Sequence, residues 1–394
     1  MKKFFNNQIV RHLSMTCALV AAVLAFVAPS SCRLTEEGIE ILPSDTTAPF
    51  IESFAVTSAN SVYLDFSEPA VLDSLTLTEL DSSLAEGDDW LYAQTDSSSS
   101  YAVANVITYS EDGKSSEIEF SEKTEIGKAY VFSGIVYDTT GNSMTFSQKF
   151  YGFNERPARL ILNEVRTTFS KTKEAAEYVE FFALNDGNTY GLEFLSLAGG
   201  DSKKYSFPVM EVKKGEYITL HGRIFDGTEE TALDETGENM ALSSAVESCD
   251  TARDLWKSGN DKIASNTDIL ILRDITSGNI MDSLLLSVSG KTEWPRKSMR
   301  DFANTVFSLG LWKGGYQPEN AVCTDGMTSS LMRSISRMNT AELAQKYADC
   351  EELPLYISSS NSDWSITDKS GTGKNTVSGA TPGFENSTNL FTAK

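Results

Sequence analysis

The chain has 394 residues and a formal net charge of −22 at pH 7, from 55 acidic and 33 basic side chains. This length accommodates two or three domains, each with its own hydrophobic core. Because so acidic a surface repels phosphate, and no run of Lys or Arg interrupts it, the composition disfavours binding to nucleic acid or to an anionic membrane face.

Residues 1–31 have the pattern of a signal peptide. A positively charged start precedes an apolar run at 17–27, and this run is too short to span a bilayer. The positive charges are Lys2, Lys3 and Arg11. Because residues 1–32 contain no Asp or Glu, their removal leaves a mature chain with a net charge of about −25.

The apolar run is followed by the small residue Ser31 and then by Cys32. This arrangement resembles the lipidation site of bacterial lipoproteins, in which the cysteine receives diacylglycerol and becomes the new N-terminus. The resemblance implies a mature protein that is attached to the cell envelope by lipid on Cys32. An ordinary secreted protein and a retained N-terminal anchor are the alternatives.

Removal of residues 1–31 also removes His12, so His221 is the single histidine of the mature chain. A zinc site with two or more His ligands from one chain is therefore excluded, and a catalytic triad would have to use this ring. Because His221 follows the strand-like run 216–220, we predict a surface residue at a strand end rather than a catalytic group.

Three cysteines remain after processing and acylation, namely Cys249, Cys323 and Cys350. An odd number of thiols in an oxidising compartment allows at most one disulfide. A bond between Cys323 and Cys350 would close the shorter loop, and three reduced, buried thiols are the alternative.

A short polar tether is predicted at 32–44, and a β-rich unit follows it at 45–153. Val62, Leu64 and Phe66 fall on one face of a strand, and turn residues such as Asp112 and Gly113 separate successive strand-like runs. The pattern, which has no helical period, predicts a small antiparallel β-sandwich.

Three motifs in this unit resemble bacterial Ig-like domains. They are Asp-Thr-Thr-Ala-Pro at 45–49, Val-Tyr-Leu-Asp-Phe-Ser-Glu-Pro-Ala at 62–70 and Tyr-Asp-Thr-Thr-Gly-Asn at 137–142. Acidic loops in such modules sometimes hold calcium, and Asp138 with Asn142 is the candidate here. A turn stabilised by its own side-chain hydrogen bonds is the alternative.

The second unit, at 159–388, opens with two strand-like runs at 160–165 and 178–182. Each run carries a glutamate, Glu164 and Glu180, and the two strands are expected to be neighbours. A carboxylate pair of this kind could serve a glycan hydrolase, whereas solvated glutamates on a strand face are the alternative interpretation.

An ordered set of short motifs in this unit resembles the lamin-tail domain. The set includes Asn-Glu at 163–164, Glu-Tyr-Val-Glu-Phe at 177–181, Gly-Glu-Tyr at 215–217 and Thr-Pro-Gly at 381–383. The resemblance implies an Ig-like β-sandwich and association with proteins, DNA or the envelope, of which the charge disfavours DNA. Trp364 is expected to fill the core of this sandwich.

Two insertions are expected in the second unit, at 225–267 and 291–349. The first is predicted to contain a short helix around 243–256, and the second a helix from Asn339 with a capping-box start completed by Glu342. Four aromatic residues of the second insertion are candidates for ligand binding, with a role in covering the core as the alternative: Trp294, Phe307, Trp312 and Tyr316.

The sequence therefore predicts an all-β protein with two Ig-like antiparallel β-sandwich domains in tandem, the second with partly helical insertions. We expect a non-catalytic, lipid-anchored envelope protein with a structural or binding role and a protein or glycan partner. No catalytic residue, metal ligand or cofactor is assigned, and nucleic acid is not expected as a partner. A carboxylate-dependent envelope hydrolase and a calcium-stiffened adhesin are the rival hypotheses.

Overall fold

The computed structural model describes residues 45–80, 106–199, 204–257, 262–350 and 352–392, together with the backbone of three short strands outside these ranges. Two of these strands lie in the predicted tether, Leu34–Thr35 (β1) and Gly38–Ile39 (β2), and pair with each other. The predicted signal peptide at 1–31 and the acylation site Cys32 lie outside the described residues.

The first unit is a sandwich of two four-stranded sheets with strand orders β3-β4-β8-β7 and β10-β9-β5-β6. In chain order its strands are β3 (Ile51–Ser58), β4 (Ser61–Phe66), β5 (Ala70–Glu79), β6 (Ser100–Ala102), β7 (Val106–Tyr109), β8 (Ser115–Glu119), β9 (Ala129–Asp138) and β10 (Ser143–Tyr151). Val62, Leu64 and Phe66 are buried together with Phe132 between the sheets, as the alternation predicts. The turn at Gly113 has a positive φ of 66°, which glycine adopts without steric cost.

The second unit contains a six-stranded sheet of order β18-β17-β12-β11-β22-β23 and a five-stranded sheet of order β15-β14-β19-β20-β21. Its strands are β11 (Leu160–Arg166), β12 (Tyr178–Ala183), β13 (Gly187–Asn188), β14 (Leu192–Ser196), β15 (Lys204–Ser206), β16 (Glu211–Val212), β17 (Tyr217–His221), β18 (Ala252–Trp256), β19 (Asp268–Asp274), β20 (Ile280–Ser287), β21 (Val322–Cys323), β22 (Ser334–Arg337) and β23 (Trp364–Thr367). The small ladder β13-β16 is separate. The pairs β17-β18 and β20-β21 are parallel, and the other strand pairs of these sheets are antiparallel.

One continuous core fills the space between these two sheets. It contains strand β19, whose residues 269–272 are apolar and buried on both faces, and Trp364, which confirms the core role expected for that residue. Helix α1 (Lys297–Ser308) adds Met299, Ala303 and Val306 to the core, because residues four and three apart lie on one helix face. The second insertion therefore extends the core.

The outer face of the six-stranded sheet is covered as well. The C-terminal segment, residues 376–392, lies along β23 through the bridge between Thr367 and Leu390 and through a backbone hydrogen bond from Phe391 to Ile366. On the β18 side, the loop 225–251 contacts the sheet through a backbone hydrogen bond from Glu235 to Asp254. The second unit thus has a third, irregular layer over one sheet.

The helix expected around 243–256 is absent, and Ala252–Trp256 instead forms β18, paired parallel with β17. Ala252–Trp256 forms backbone hydrogen bonds with the edge of β17, and all five of its residues are buried. Strand pairing in the folded chain therefore overrides the local helix propensity of this segment. Helix α2 (Thr340–Lys346) does begin after Asn339. The capping-box bond is not formed: Asn339 Oδ1, which would accept it, has no hydrogen-bond partner among the described residues, and the side-chain amide donates to Asp363 at 3.1 Å.

Among the described residues, no helix has the length and apolar character that a membrane span requires.

Replacement of Phe132 by alanine should destabilise the first unit by about 3–5 kcal/mol, since this ring is fully buried and contacts three other phenylalanines. Urea unfolding followed by tryptophan fluorescence and circular dichroism measures the change. Val71→Ala on the exposed face of β5 is the matched control and should change stability by less than about 0.5 kcal/mol. Equal effects of the two variants would contradict the assigned core.

Candidate functional site

Glu164 on β11 and Glu180 on β12 stand directly opposite each other in the strand register, which confirms that their strands are neighbours. Both are fully buried, so the interpretation as solvated strand-face glutamates is wrong. The reason is the third layer. Val165 and Val179 face the core, the two glutamates face the opposite side, and the C-terminal segment covers that side.

Glu164 accepts hydrogen bonds from three different parts of the chain. Tyr178 on β12 donates its hydroxyl at 2.6 Å, and Ser334 and Ser336 on β22 donate at 2.5 and 3.1 Å. The backbone N–H of Thr381 donates to both carboxylate oxygens, at 3.1 and 3.0 Å. Burial raises the pKa of Glu164, and the hydrogen bonds from Ser334 and Tyr178 oppose this rise.

Glu180 has a similar set of donors. Its oxygens accept from the Asn163 side-chain amide at 2.7 Å and from the backbone N–H of Gly383 at 2.5 Å, with the Thr219 hydroxyl at 3.5 Å. Burial raises the pKa of Glu180 well above its ordinary value, and the nearby charge of Glu164 raises it further. The pair is therefore held by dipoles in a dry environment, without a direct cation.

Glycine is required at position 383, where the C-terminal segment contacts Glu180. Its φ of +79° lies in the left-handed region, and a Cβ atom there would lie 2.6 Å from the Thr251 hydroxyl and 2.7 Å from the Cys249 sulfur. The motifs on which the sequence resemblance rests, 163–164, 177–181 and 381–383, thus meet in one buried network. Neither glutamate lines any of the cavities described below, so the arrangement fastens the C-terminal segment to the first hairpin.

His221 is buried, so the predicted surface position is wrong. Its Nε2 lies 2.7 Å from Asp254 Oδ1, and its ring stacks on Trp256 with centroids 4.1 Å apart. Both partners belong to β18, the strand that the sequence interpretation missed, and this strand covers the end of β17. No side chain described in the structure hydrogen-bonds to His221 Nδ1, so the His–Asp pair is not completed by a nucleophile.

The four candidate aromatic residues do not form one binding surface. Trp294 and Trp312 are buried in the core, and their indole N–H groups donate to the carbonyl oxygens of Tyr316 at 2.7 Å and Asn320 at 3.3 Å. Phe307 is 40% exposed, with its ring centroid 6.0 Å from that of Tyr316. Only this last pair remains accessible, and its binding role stays a prediction.

A cleft of about 870 Å³ lies between the two units. Phe54 and Val56 of strand β3 form one side, and Tyr190, Ile275 and Leu355 form the other. β3 is the edge strand of its sheet. Sequence reasoning did not find this cleft because its lining residues come from segments far apart in the chain.

The predicted calcium residues form a self-bonded turn. Asp138 accepts from the backbone N–H groups of Thr140 and Asn142 at 2.8 Å each and from the Asn142 side chain at 2.7 Å. Burial opposes ionisation, but the hydrogen bonds from Asn142 and Thr140 outweigh it and lower the pKa of Asp138 to about 2. Carboxylate oxygens of Asp45 and Glu68 lie with that of Asp138 within 4.8 Å of one another. Calcium binding remains a prediction.

The described cysteines are not disulfide-bonded. Cys323 and Cys350 are exposed and Cys249 is half-buried, so the expected Cys323 to Cys350 bond is absent and the alternative of three buried thiols is also wrong. Cys323 ends β21 of the five-stranded sheet, whereas Cys350 follows α2, which packs over the other sheet through Leu343.

Loss of the Glu164 carboxylate should cost about 3–5 kcal/mol of unfolding free energy, because several buried donors lose their acceptor at about 1–3 kcal/mol each. Glu164→Ala is compared with Glu385→Ala, whose side chain is exposed on the C-terminal segment. Urea unfolding measures both. If the two variants were equally stable, the buried network would not hold the fold together.

The raised pKa of Glu180 predicts a stability that falls as the pH rises. The folded state keeps a proton on Glu180 at pH values where the unfolded chain has lost it. The contribution of this group to the free energy of unfolding is therefore complete below the ordinary pKa of 4.5, and it is lost as the pH rises through the raised pKa of the folded state. Glu180→Gln should therefore flatten the decline of unfolding free energy as the pH rises above 4.5. Glu385→Gln should leave the decline unchanged, and an unchanged slope in Glu180→Gln would refute the assignment.

Comparison with known proteins gives a match in the second unit. A family model described as "TP_1001_2nd: protein second domain" matches residues 158–366. An uncharacterized protein of Treponema pallidum (strain Nichols) is 29% identical over 169 residues, which is 43% of this chain and 42% of that relative. The chain therefore spans less than half the length of the curated relative it matches.

Two solved structures are only distantly similar. The N-terminal part of the bacterial S-layer protein SbsC has a TM-score of 0.22 at 13% identity, over 62% of this chain and 44% of that one. A DUF4876 family protein from Bacteroides thetaiotaomicron has a TM-score of 0.23 at 11% identity, over 68% and 82%. Likeness at this level supports no conclusion about fold or function. The match over 158–366, more than half of the sequence, shows that the chain belongs to the family described as TP_1001_2nd, protein second domain.

Proposed function

We propose that the chain is a non-catalytic, lipid-anchored protein of the cell envelope with a structural or binding role, built on an Ig-like and a lamin-tail-like sandwich. The burial and hydrogen bonding of Glu164 and Glu180 support the proposal that the protein is non-catalytic. Both are fully buried and hydrogen-bonded to the closing loop at Thr381 and Gly383. A glycan hydrolase needs carboxyl groups that reach the scissile bond, and these two are occupied within the fold.

Support for the anchor comes from the N-terminal sequence, in which the apolar run at 17–27 precedes Ser31 and Cys32. A single acyl chain gives only reversible membrane binding, whereas the multiple chains of a lipoprotein hold stably. In this proposal the first sandwich is the spacer and the second is the interaction module.

The inter-unit cleft is the binding surface that fits this proposal best. Its apolar and aromatic lining, with Ile275 and Leu355 more than half exposed, is suited to a protein or glycan partner. The net charge of the chain, −22 before processing, disfavours nucleic acid. Phe307 and Tyr316, the accessible pair among the aromatic candidates from the sequence, are a second candidate surface.

Labelling with a fatty-acid analogue in a bacterial host tests the anchor. The wild-type protein should incorporate label and fractionate with membranes, whereas Cys32→Ser should do neither, because the acylated sulfur is gone. Cys323→Ser removes an exposed thiol of the second unit and should keep the label. Equal labelling of wild type and Cys32→Ser would contradict lipid attachment at this residue.

The purified protein also separates the proposal from its enzymatic rival. We expect no turnover on a panel of envelope glycans. Turnover that disappears in a folded Glu164→Gln or Glu180→Gln variant would establish the hydrolase and overturn the non-catalytic assignment.

A further inference from the structure

A small cationic pocket lies on the second unit, away from the inter-unit cleft. Its volume is about 310 Å³, and it is lined by residues from the loop after β11, the end of β17 and the segments around 262–266 and 328–331. The residues that matter for its chemistry are Thr167, Thr168, Arg223, Lys262 and Asn266. None of its described lining residues carries a carboxylate, although the chain has 55 acidic side chains.

Arg223 is held in place at the pocket. Its Nε donates to Glu177 at 2.8 Å, and its guanidinium lies over the Phe169 ring at 4.1 Å from the ring centroid. Glu177 is fully buried and does not line the pocket, whereas the Arg223 side chain lines it and is 21% exposed. An arginine fixed in this way presents its terminal N–H groups at little further cost in side-chain entropy.

Lys262 supplies the second positive charge, and none of the ion pairs found among the described residues involves it. Because Glu177 offsets Arg223, the pocket as a whole carries one net positive charge. Because the rest of the chain is strongly acidic, a small anion would be attracted to this pocket rather than to the surrounding surface.

Two residues of the pocket wall offer neutral hydrogen-bond donors. The Thr168 hydroxyl is buried and has no hydrogen-bond partner among the described residues. Asn266 Oδ1 already accepts from the Thr167 hydroxyl, so the Asn266 side chain offers a ligand its amide N–H groups. A buried polar atom without a partner costs free energy, and a bound acceptor would recover it.

We propose that this pocket binds an oxyanion, either the carboxylate of an acidic sugar or a free inorganic oxyanion such as sulfate. Arg223 and Lys262 provide charge, and Thr168 and Asn266 provide neutral donors, which together suit a group with two or three acceptor oxygens. The volume is at the lower end of small-molecule sites and accommodates a single sugar ring. The site is independent of the lipid anchor and of the inter-unit cleft.

Isothermal titration of the mature full-length protein with sodium glucuronate, sodium sulfate and glucose tests the site, with chloride added to equal ionic strength. Saturable binding of glucuronate is expected, and glucose, which has the same ring without the carboxylate, should not bind. Binding of glucuronate alone identifies an acidic sugar, whereas comparable binding of sulfate identifies a general oxyanion site. Absence of saturable binding by both anions would overturn the proposal.

Two variants assign the binding to this pocket. Lys262→Met keeps the aliphatic stem and should weaken binding about tenfold, as expected for loss of one charge-assisted hydrogen bond. Thr168→Val is nearly isosteric and should weaken it severalfold. Lys374→Met removes an exposed charge elsewhere and should leave the affinity unchanged. Equal affinities in all three variants would place the anion outside the pocket and refute the assignment.

Discussion

The buried carboxylate of Glu164 is the interaction on which the second unit depends. Through it β11 is joined to β12 at Tyr178, to β22 at Ser334 and Ser336, and to the C-terminal segment at Thr381. A carboxylate removed from water must find donors within the protein, because the desolvation free energy is otherwise uncompensated. That requirement draws four remote parts of the chain to one point and covers the outer face of the six-stranded sheet.

A second buried charge links the two sheets of the sandwich. Arg337 on β22 donates to Asp282 on β20 at 2.5 Å and to the Leu162 carbonyl at 2.7 Å, and its guanidinium lies 4.5 Å from the centroid of the Trp364 ring. Both charged groups are fully buried. Arg337 and Asp282 link the two sheets, whereas Glu164 and Glu180 link the outer face of the six-stranded sheet to the C-terminal segment. Buried polar groups on both faces of this sheet favour one arrangement of strands over alternatives with similar hydrophobic burial.

This framework also limits what the protein can do. The carboxylates and the histidine that could have served catalysis are enclosed and bonded within the fold. The accessible features include a largely apolar cleft beside the edge strand β3 and a small cationic pocket formed by loops of the second unit. Both are candidate binding surfaces, and loops placed on a rigid sandwich are the usual location for such surfaces. Their positions support the proposed binding or structural role.

The sequence by itself determined the all-β class and the orientation of Val62, Leu64 and Phe66 toward one core. It also determined that the strands carrying Glu164 and Glu180 are neighbours and that Trp364 lies in the core. These depend on local periodicity and on short turns, which are encoded in neighbouring residues. Tertiary structure alone decided that the glutamates and His221 are buried, that Ala252–Trp256 is a strand, and that Trp294 and Trp312 belong to the core. Each of these outcomes depends on a segment that is distant in the sequence, and the clearest case is the C-terminal loop at Thr381–Gly383. Burial by such long-range contacts leaves no periodic signal in the sequence around the buried residue.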